Sequence, residues 1–169
     1  NLDVAINGDG FFEVTLPDGT TGYTRDGSFQ LDAQGRIVTS GGLPVAPGIT
    51  VPAGTKSISI SENGEVSAIV AGSVAPQPLG SLSMSSFVNS AGLQPVGQNM
   101  FKESAASGAP QQGTPGTNGL GIVRQGFLET SNVNVVAELV NMIQTQRAYE
   151  MNSKAIQTSD QMLAKLSQM

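Results

Sequence analysis

Histidine, cysteine and tryptophan are absent from this chain, and charge is scarce. Without Cys there is no disulfide framework, no thiol nucleophile and no Cys-ligated zinc site. Without His there is no Ser-His-Asp triad and no imidazole acid/base group near neutral pH. No run reaches the ~20 apolar residues of a spanning helix, so membrane insertion is not expected. Charged residues are 12% of the 169 positions, about half the ~25% usual in globular domains. Eight Lys and Arg face 13 Asp and Glu, for a net charge of −5. With no basic cluster to neutralise phosphates, nucleic acid is not an expected partner. A carboxylate-only enzyme remains open.

Hydrophobic residues make up 38% of the chain, enough for one modest core, and 21 Gly with 9 Pro punctuate it heavily. Charge largely keeps a surface soluble and monomeric. So little of it leaves two explanations: partial disorder, or a surface meant for burial against other chains.

The first stretch reads as short strands between turns. Phe11 to Leu16 is aromatic and β-branched, and Pro17-Asp18-Gly19 closes it with a preset φ followed by a residue that accepts the left-handed region. Gly22 to Thr24 and Ser28 to Leu31 flank Asp26-Gly27, a tight-hairpin signal in which both residues tolerate positive φ. Arg36 to Thr39, Ile49 to Val51, Ser57 to Ser61 and Glu65 to Val70 follow. Ser57-Ile58-Ser59-Ile60-Ser61 alternates at period two, as a half-buried strand does.

Ala75 to Gly80 reads as a Pro-broken linker, Ser81 to Val88 as a strand, Asn89 to Gly121 as loop, and Ile122 to Leu128 as a further strand. Ser104 to Asn118 has too few apolar residues to offset its own ordering entropy. Strands this short and closely spaced predict an antiparallel sandwich or barrel-like domain.

From Asn134 to Ser167 neither Gly nor Pro occurs, which predicts one long helix capped by Asn132 or Asn134. The fold class is therefore α+β: a mainly antiparallel β domain, then a single C-terminal α-helix. Three regions are expected: a β-rich domain over 1–103, a Gly/Ser/Pro-rich connector over 104–132 and the helix over 133–169.

On that helix Val135, Leu139, Met142, Tyr149, Ile156 and Leu163 follow the 3-4 spacing of a coiled-coil seam. Val136, Val140, Ile143, Met151, Met162 and Leu166 widen the apolar surface well beyond it. Such a helix is normally buried on more than one side, and nothing upstream supplies a helical partner. These twelve residues are the candidate packing surface.

Other motifs read as structure. Asn7-Gly8-Asp9-Gly10 lacks the spaced oxygen ligands of a calcium loop, so Gly8 and Gly10 are assigned to a turn, as are Asp18, Gly19, Asp26 and Gly27. In Gly119-Leu120-Gly121 the third Gly of a dinucleotide fingerprint is replaced by Arg124. Glu13, Asp26, Asp32, Glu62 and Glu65 could in principle pair for glycoside cleavage, but lie mostly in apparent turns or on wet strand faces. No catalytic residue, cofactor or metal site is expected.

Several blocks together carry a resemblance. They are Gly8-Asp9-Gly10-Phe11-Phe12-Glu13-Val14, Leu16-Pro17-Asp18-Gly19-Thr20 and Tyr23-Thr24-Arg25-Asp26-Gly27-Ser28-Phe29. Later blocks are Gly126 to Asn134, Glu138 to Ile143, Gln146-Arg147-Ala148-Tyr149-Glu150 and Asp160-Gln161-Met162-Leu163. In this order they resemble the rod and hook axial proteins of the bacterial flagellum, most closely its distal-rod members.

The resemblance implies export through the flagellar type III apparatus and helical polymerisation into a rigid hollow shaft, which carries torque from motor to hook within the basal body. It implies contacts with copies of the same chain, with other axial proteins (proximal rod, hook) and with surrounding ring proteins. It also implies an N-terminal helix, paired with the C-terminal one, before Asn1. Alternatives are a proximal rod or hook paralogue, a secreted β-domain binding module, and a wall-glycan hydrolase.

Overall fold

The computed structural model describes residues 2–73 and 75–166, the side chains of 164–166 excepted. The chain divides into two units, Asn1–Glu129 and Thr130–Met169. The first is an antiparallel β unit and the second carries the one α-helix among the described residues, so the fold class is α+β.

The β unit closes its chain on itself. Strand β1 (Val4–Asn7) pairs with β13 (Ile122–Gln125), Val4 opposite Gln125. Strands β2 (Phe11–Thr15) and β3 (Thr21–Thr24) form a hairpin inside a six-stranded sheet. That sheet runs β10-β11-β3-β2-β9-β12, where β9 is Met84–Ser86, β10 Gln94–Gly97, β11 Met100–Lys102 and β12 Gln111–Gly113. A small pair, β4 (Gln30–Leu31) and β5 (Ile37–Val38), and a three-stranded sheet, β6 (Thr55–Ile60), β7 (Glu65–Val70) and β8 (Gln77–Ser81), complete the unit.

Strand β2 is buried on both faces. Phe12 and Val14 point into the main core with Val4, Ile37, Val45, Val66, Leu82, Met84 and Val123. Phe12 meets Phe29 edge to face, centroids 5.0 Å apart. On the opposite face Phe11 and Tyr23 gather Leu93, Phe87 and Phe101 in a smaller cluster.

Several elements depart from the sequence reading. The expected linker 75–80 is mostly strand β8, paired with β7 around Ser67 opposite Pro78. It is an edge strand, where the missing proline N–H interrupts no further ladder. The expected loop 89–121 holds β10, β11 and β12, and the stretch set apart as a connector contributes β12 and β13 to the first unit. Ile49 to Val51 forms only the isolated bridge of Thr50 with Arg36, although Ile49 and Val51 are buried. Strand β1 was not anticipated.

Asp26-Gly27 is not a positive-φ hairpin turn, since neither residue is left-handed. Asp26 Oδ1 instead accepts from the Ser28 amide (3.0 Å) and hydroxyl (2.6 Å). Gly27 is needed for space: a Cβ there would lie 1.6 Å from the Val4 carbonyl oxygen.

Helix α1 runs Val135–Leu166, 32 residues, about 48 Å at ~1.5 Å per residue. Asn134 Oδ1 accepts from the amides of Val136 (3.0 Å) and Ala137 (3.2 Å), capping two orphan donors of the first turn. The expected continuation over 167–169 lies outside the described residues.

Candidate assembly surface

Helix α1 presents its apolar side chains to solvent. Val135, Val136, Leu139, Val140, Met142, Ile143, Tyr149, Met151, Ile156, Met162 and Leu163 are all exposed, from 45% at Val140 to 77% at Tyr149. Leu166's side chain lies outside the described residues. At 100° per residue the eleven positions sweep roughly 260° of the helix circumference. Covering them would contribute on the order of 10–20 kcal/mol before the costs of association.

Electrostatics favour such covering. The helix carries Glu138, Glu150 and Asp160 against Arg147, Lys154 and Lys165, so it is neutral and the whole net charge of −5 sits on the β unit. Copies of the helix can approach one another without net repulsion. A 32-residue helix is also long enough to persist before it finds a partner, since helices become marginal below ~12–15 residues.

The turn residues do different work. Gly8 and Gly10 hold φ of 120° and 131°. A Cβ on Gly8 would lie 2.8 Å from the Gly121 Cα, and one on Gly10 would lie 2.5 Å from the Met84 methyl. The Gly121 amide donates to the Asp9 carbonyl (2.7 Å), so the two glycine motifs brace each other. Arg25 clamps the same turn: Nη1 donates to Gly10 O (3.3 Å), Nη2 to Gly8 O (3.2 Å) and Nε to Glu129 Oε2 (3.0 Å). Sequence reasoning gave Arg25 no role. No local signal could have found it, because the turn it clamps lies 15 and 17 residues upstream at Gly10 and Gly8.

Three of the five candidate carboxylates, Glu13, Asp26 and Asp32, hold structural partners, while Glu62 and Glu65 are exposed. Glu13, expected near solvent, is buried and accepts the Ser85 hydroxyl hydrogen bond. Asp32 pairs with Arg36 at 2.7 Å. Burial pulls Asp26 up, but the Ser28 hydroxyl and amide and the Asn99 side chain outweigh it, so its carboxyl lies below the ordinary value. Burial and the charges of Glu103 and Glu13 push the Tyr23 phenol up to about 12. Among the described residues no group of three acidic side chains could hold a metal ion.

Asp18 closes the β2–β3 turn, with Gly19 at φ 78°. Its carboxyl is held well below the usual range, first by the Lys102 ammonium at 2.6 Å and then by the Thr20 hydroxyl and amide. A depressed folded pKa stabilises above the ordinary value of 3.8 and is lost as pH falls through the folded one. Lys102→Met should therefore raise the Asp18 midpoint in a carboxyl NMR titration, leaving a residual depression from Thr20. An unchanged midpoint would remove Lys102 as its main cause.

Comparison with known proteins places these features. The family described as flagellar hook protein FlgE/F/G D1 domain matches residues 5–68. The one described as flagellar basal body rod FlgEFG protein C-terminal matches residues 124–169. The chain is 58% identical to the flagellar basal-body rod protein FlgG of Buchnera aphidicola subsp. Acyrthosiphon pisum, over 99% of this chain and 64% of that protein. It is 42% identical to FlgG of Bacillus subtilis, over 98% of this chain and 64% of that protein. It is 36% identical to FlgF of Escherichia coli K12, over 99% of this chain and 68% of that protein. The chain thus spans somewhat less than two thirds of the length of its FlgG-named relatives.

Proposed function

The chain belongs to the flagellar hook and basal-body rod family, and from that premise we propose that it is a structural subunit of the distal rod. In this role it polymerises helically into a rigid hollow shaft of the basal body and transmits torque to the hook. It is not an enzyme, and it reaches its place through the flagellar type III export apparatus. Its partners are copies of itself, the other axial proteins and the surrounding rings. Relatives named FlgG at 58% and 42% identity, against 36% for the FlgF-named one, favour the distal rod over a proximal paralogue.

The observation that carries this reading is the neutral helix α1 with apolar side chains exposed around most of its circumference. Head-to-tail contacts that do not close into a ring generate helical filaments, and a long helix able to bury several sides suits the inner wall of a tube. The acidic β unit then forms the outer wall. Densely packed interiors compress little, which supplies the stiffness a drive shaft needs.

Electron microscopy of the purified full-length protein is the direct test. Hollow tubes are expected; a protein that stays monomeric at every concentration tried would sink the proposal.

A further inference from the structure

The chain contains three Asn-Gly dipeptides, Asn7-Gly8, Asn63-Gly64 and Asn118-Gly119. Each is a chemical hazard, because glycine leaves its own amide sterically free to attack the neighbouring asparagine side chain. The fold treats the three differently.

Asn63-Gly64 lies in the turn between β6 and β7. The Gly64 amide donates to the Ser61 carbonyl (2.9 Å), and Gly64 is buried. Its nitrogen is engaged and shielded. Asn7 ends β1 in register with Ile122, and the Gly8 carbonyl accepts from Arg25. Rotating that peptide would break the ladder and the clamp together.

Asn118-Gly119 has neither protection. The Leu120 amide donates to the Thr117 carbonyl (2.8 Å), while Asn118 and Gly119 hold φ of 51° and 80°. These are the central residues of a type I′ turn. Only the first and last residues of such a turn share its hydrogen bond, and the Gly119 amide has no partner among the described residues. Both residues are exposed.

We propose that Asn118 is the preferred site of spontaneous deamidation in the folded chain. Hydroxide removes the Gly119 amide proton, and the nitrogen attacks Asn118 Cγ. The new N–Cγ bond closes a succinimide, the Cγ–Nδ2 bond breaks and ammonia leaves. Water then opens the ring at either carbonyl, giving aspartate or isoaspartate. Either product adds a negative charge to a unit already at −5. The isoaspartyl product also lengthens the backbone just before Leu120, a buried core residue, and Gly121, which braces Asp9.

Trypsin separates the three sites, because cleavage after Arg25, Lys56, Lys102 and Arg124 puts each in its own peptide. The full chain is incubated at mildly alkaline pH in heavy-oxygen water, native and in strong urea, and digested. Mass spectrometry then follows amide-to-acid conversion with label uptake.

In the native chain Asn118 should convert roughly tenfold faster than Asn63, the factor one backbone hydrogen bond of about 1.4 kcal/mol supplies. It should also outpace Asn7, and in urea the three rates should converge. Equal native rates, a faster Asn63 or Asn7, no conversion of Asn118, or a gap that survives urea would each overturn the proposal.

Discussion

Replacing Leu139 and Ile156 together by lysine in the full-length protein is expected to abolish tube formation while leaving the β unit folded. Both side chains lie on the 3-4 seam of α1, exposed by 51% and 64%. Burying an aliphatic side chain of this size contributes about 1.5–3 kcal/mol. A lysine forfeits that and would carry its charge into the packed wall, where an unpaired charge costs several kcal/mol more. The loss recurs at every subunit. Even about 2.7 kcal/mol per subunit raises the concentration needed for assembly about a hundredfold.

Lysine is as good a helix former as leucine and better than isoleucine, so the helix itself should survive. Far-UV circular dichroism and a urea transition matching the parent would establish that. Leu139→Met serves as the control, because it keeps volume and apolarity and should assemble normally. Removing Asn134–Met169 should have the same consequence as the lysine pair. Tubes that persist in either variant would mean that α1 is not the packing element.

The parts of this architecture visible in the sequence were those set by local chemistry. Strand β7 begins where Glu62-Asn63-Gly64 turns the chain, and α1 begins at the Asn134 cap of a long stretch free of Gly and Pro. Strand β8 was hidden by Pro78, because an edge position that tolerates proline is a property of the assembled sheet. Strands β11 and β12 form through pairing with distant partners, such as Met100 opposite Thr24 and Gln111 opposite Ser86, and β10 only folds back onto β11. No local pattern encodes that. The burial of Glu13 was missed for a related reason. Strand β2 is covered on both faces, so its Phe-Phe-Glu-Val-Thr run lacks the alternation that separates wet from dry positions.

The candidate surface shows the same division. Its apolar positions were readable from spacing alone, and eleven of the twelve are exposed on α1, whereas what would cover them is not written in any local pattern. Gly27 is the converse case. Its motif was visible, but the reason for it, the Val4 carbonyl in the space a Cβ would need, arises only when β1 folds against the turn.

Phe12→Ala should be the most damaging single truncation in the β unit, at about 3–5 kcal/mol. Phe12 is fully buried at the centre of the main cluster, paired in the sheet with Thr24 on one side and Met84 on the other. Its ring also stands edge to face against Phe29, an arrangement worth about 0.5–1.5 kcal/mol beyond burial. Backbone pairing on both sides leaves little freedom to collapse into the void, so most of the cavity penalty should remain. Domains of this size are stable by only about 5–15 kcal/mol, and the variant should sit near its unfolding threshold at body temperature. Phe11→Ala is the internal comparison. Its ring lies on the opposite face in the smaller, more open cluster, where neighbouring Phe87 and Phe101 are only half-buried and can move in. It should lose clearly less. Urea unfolding of both variants, followed by circular dichroism, measures the difference. A Phe12 loss below about 1 kcal/mol, or one smaller than that of Phe11, would place the true core on the other face of β2.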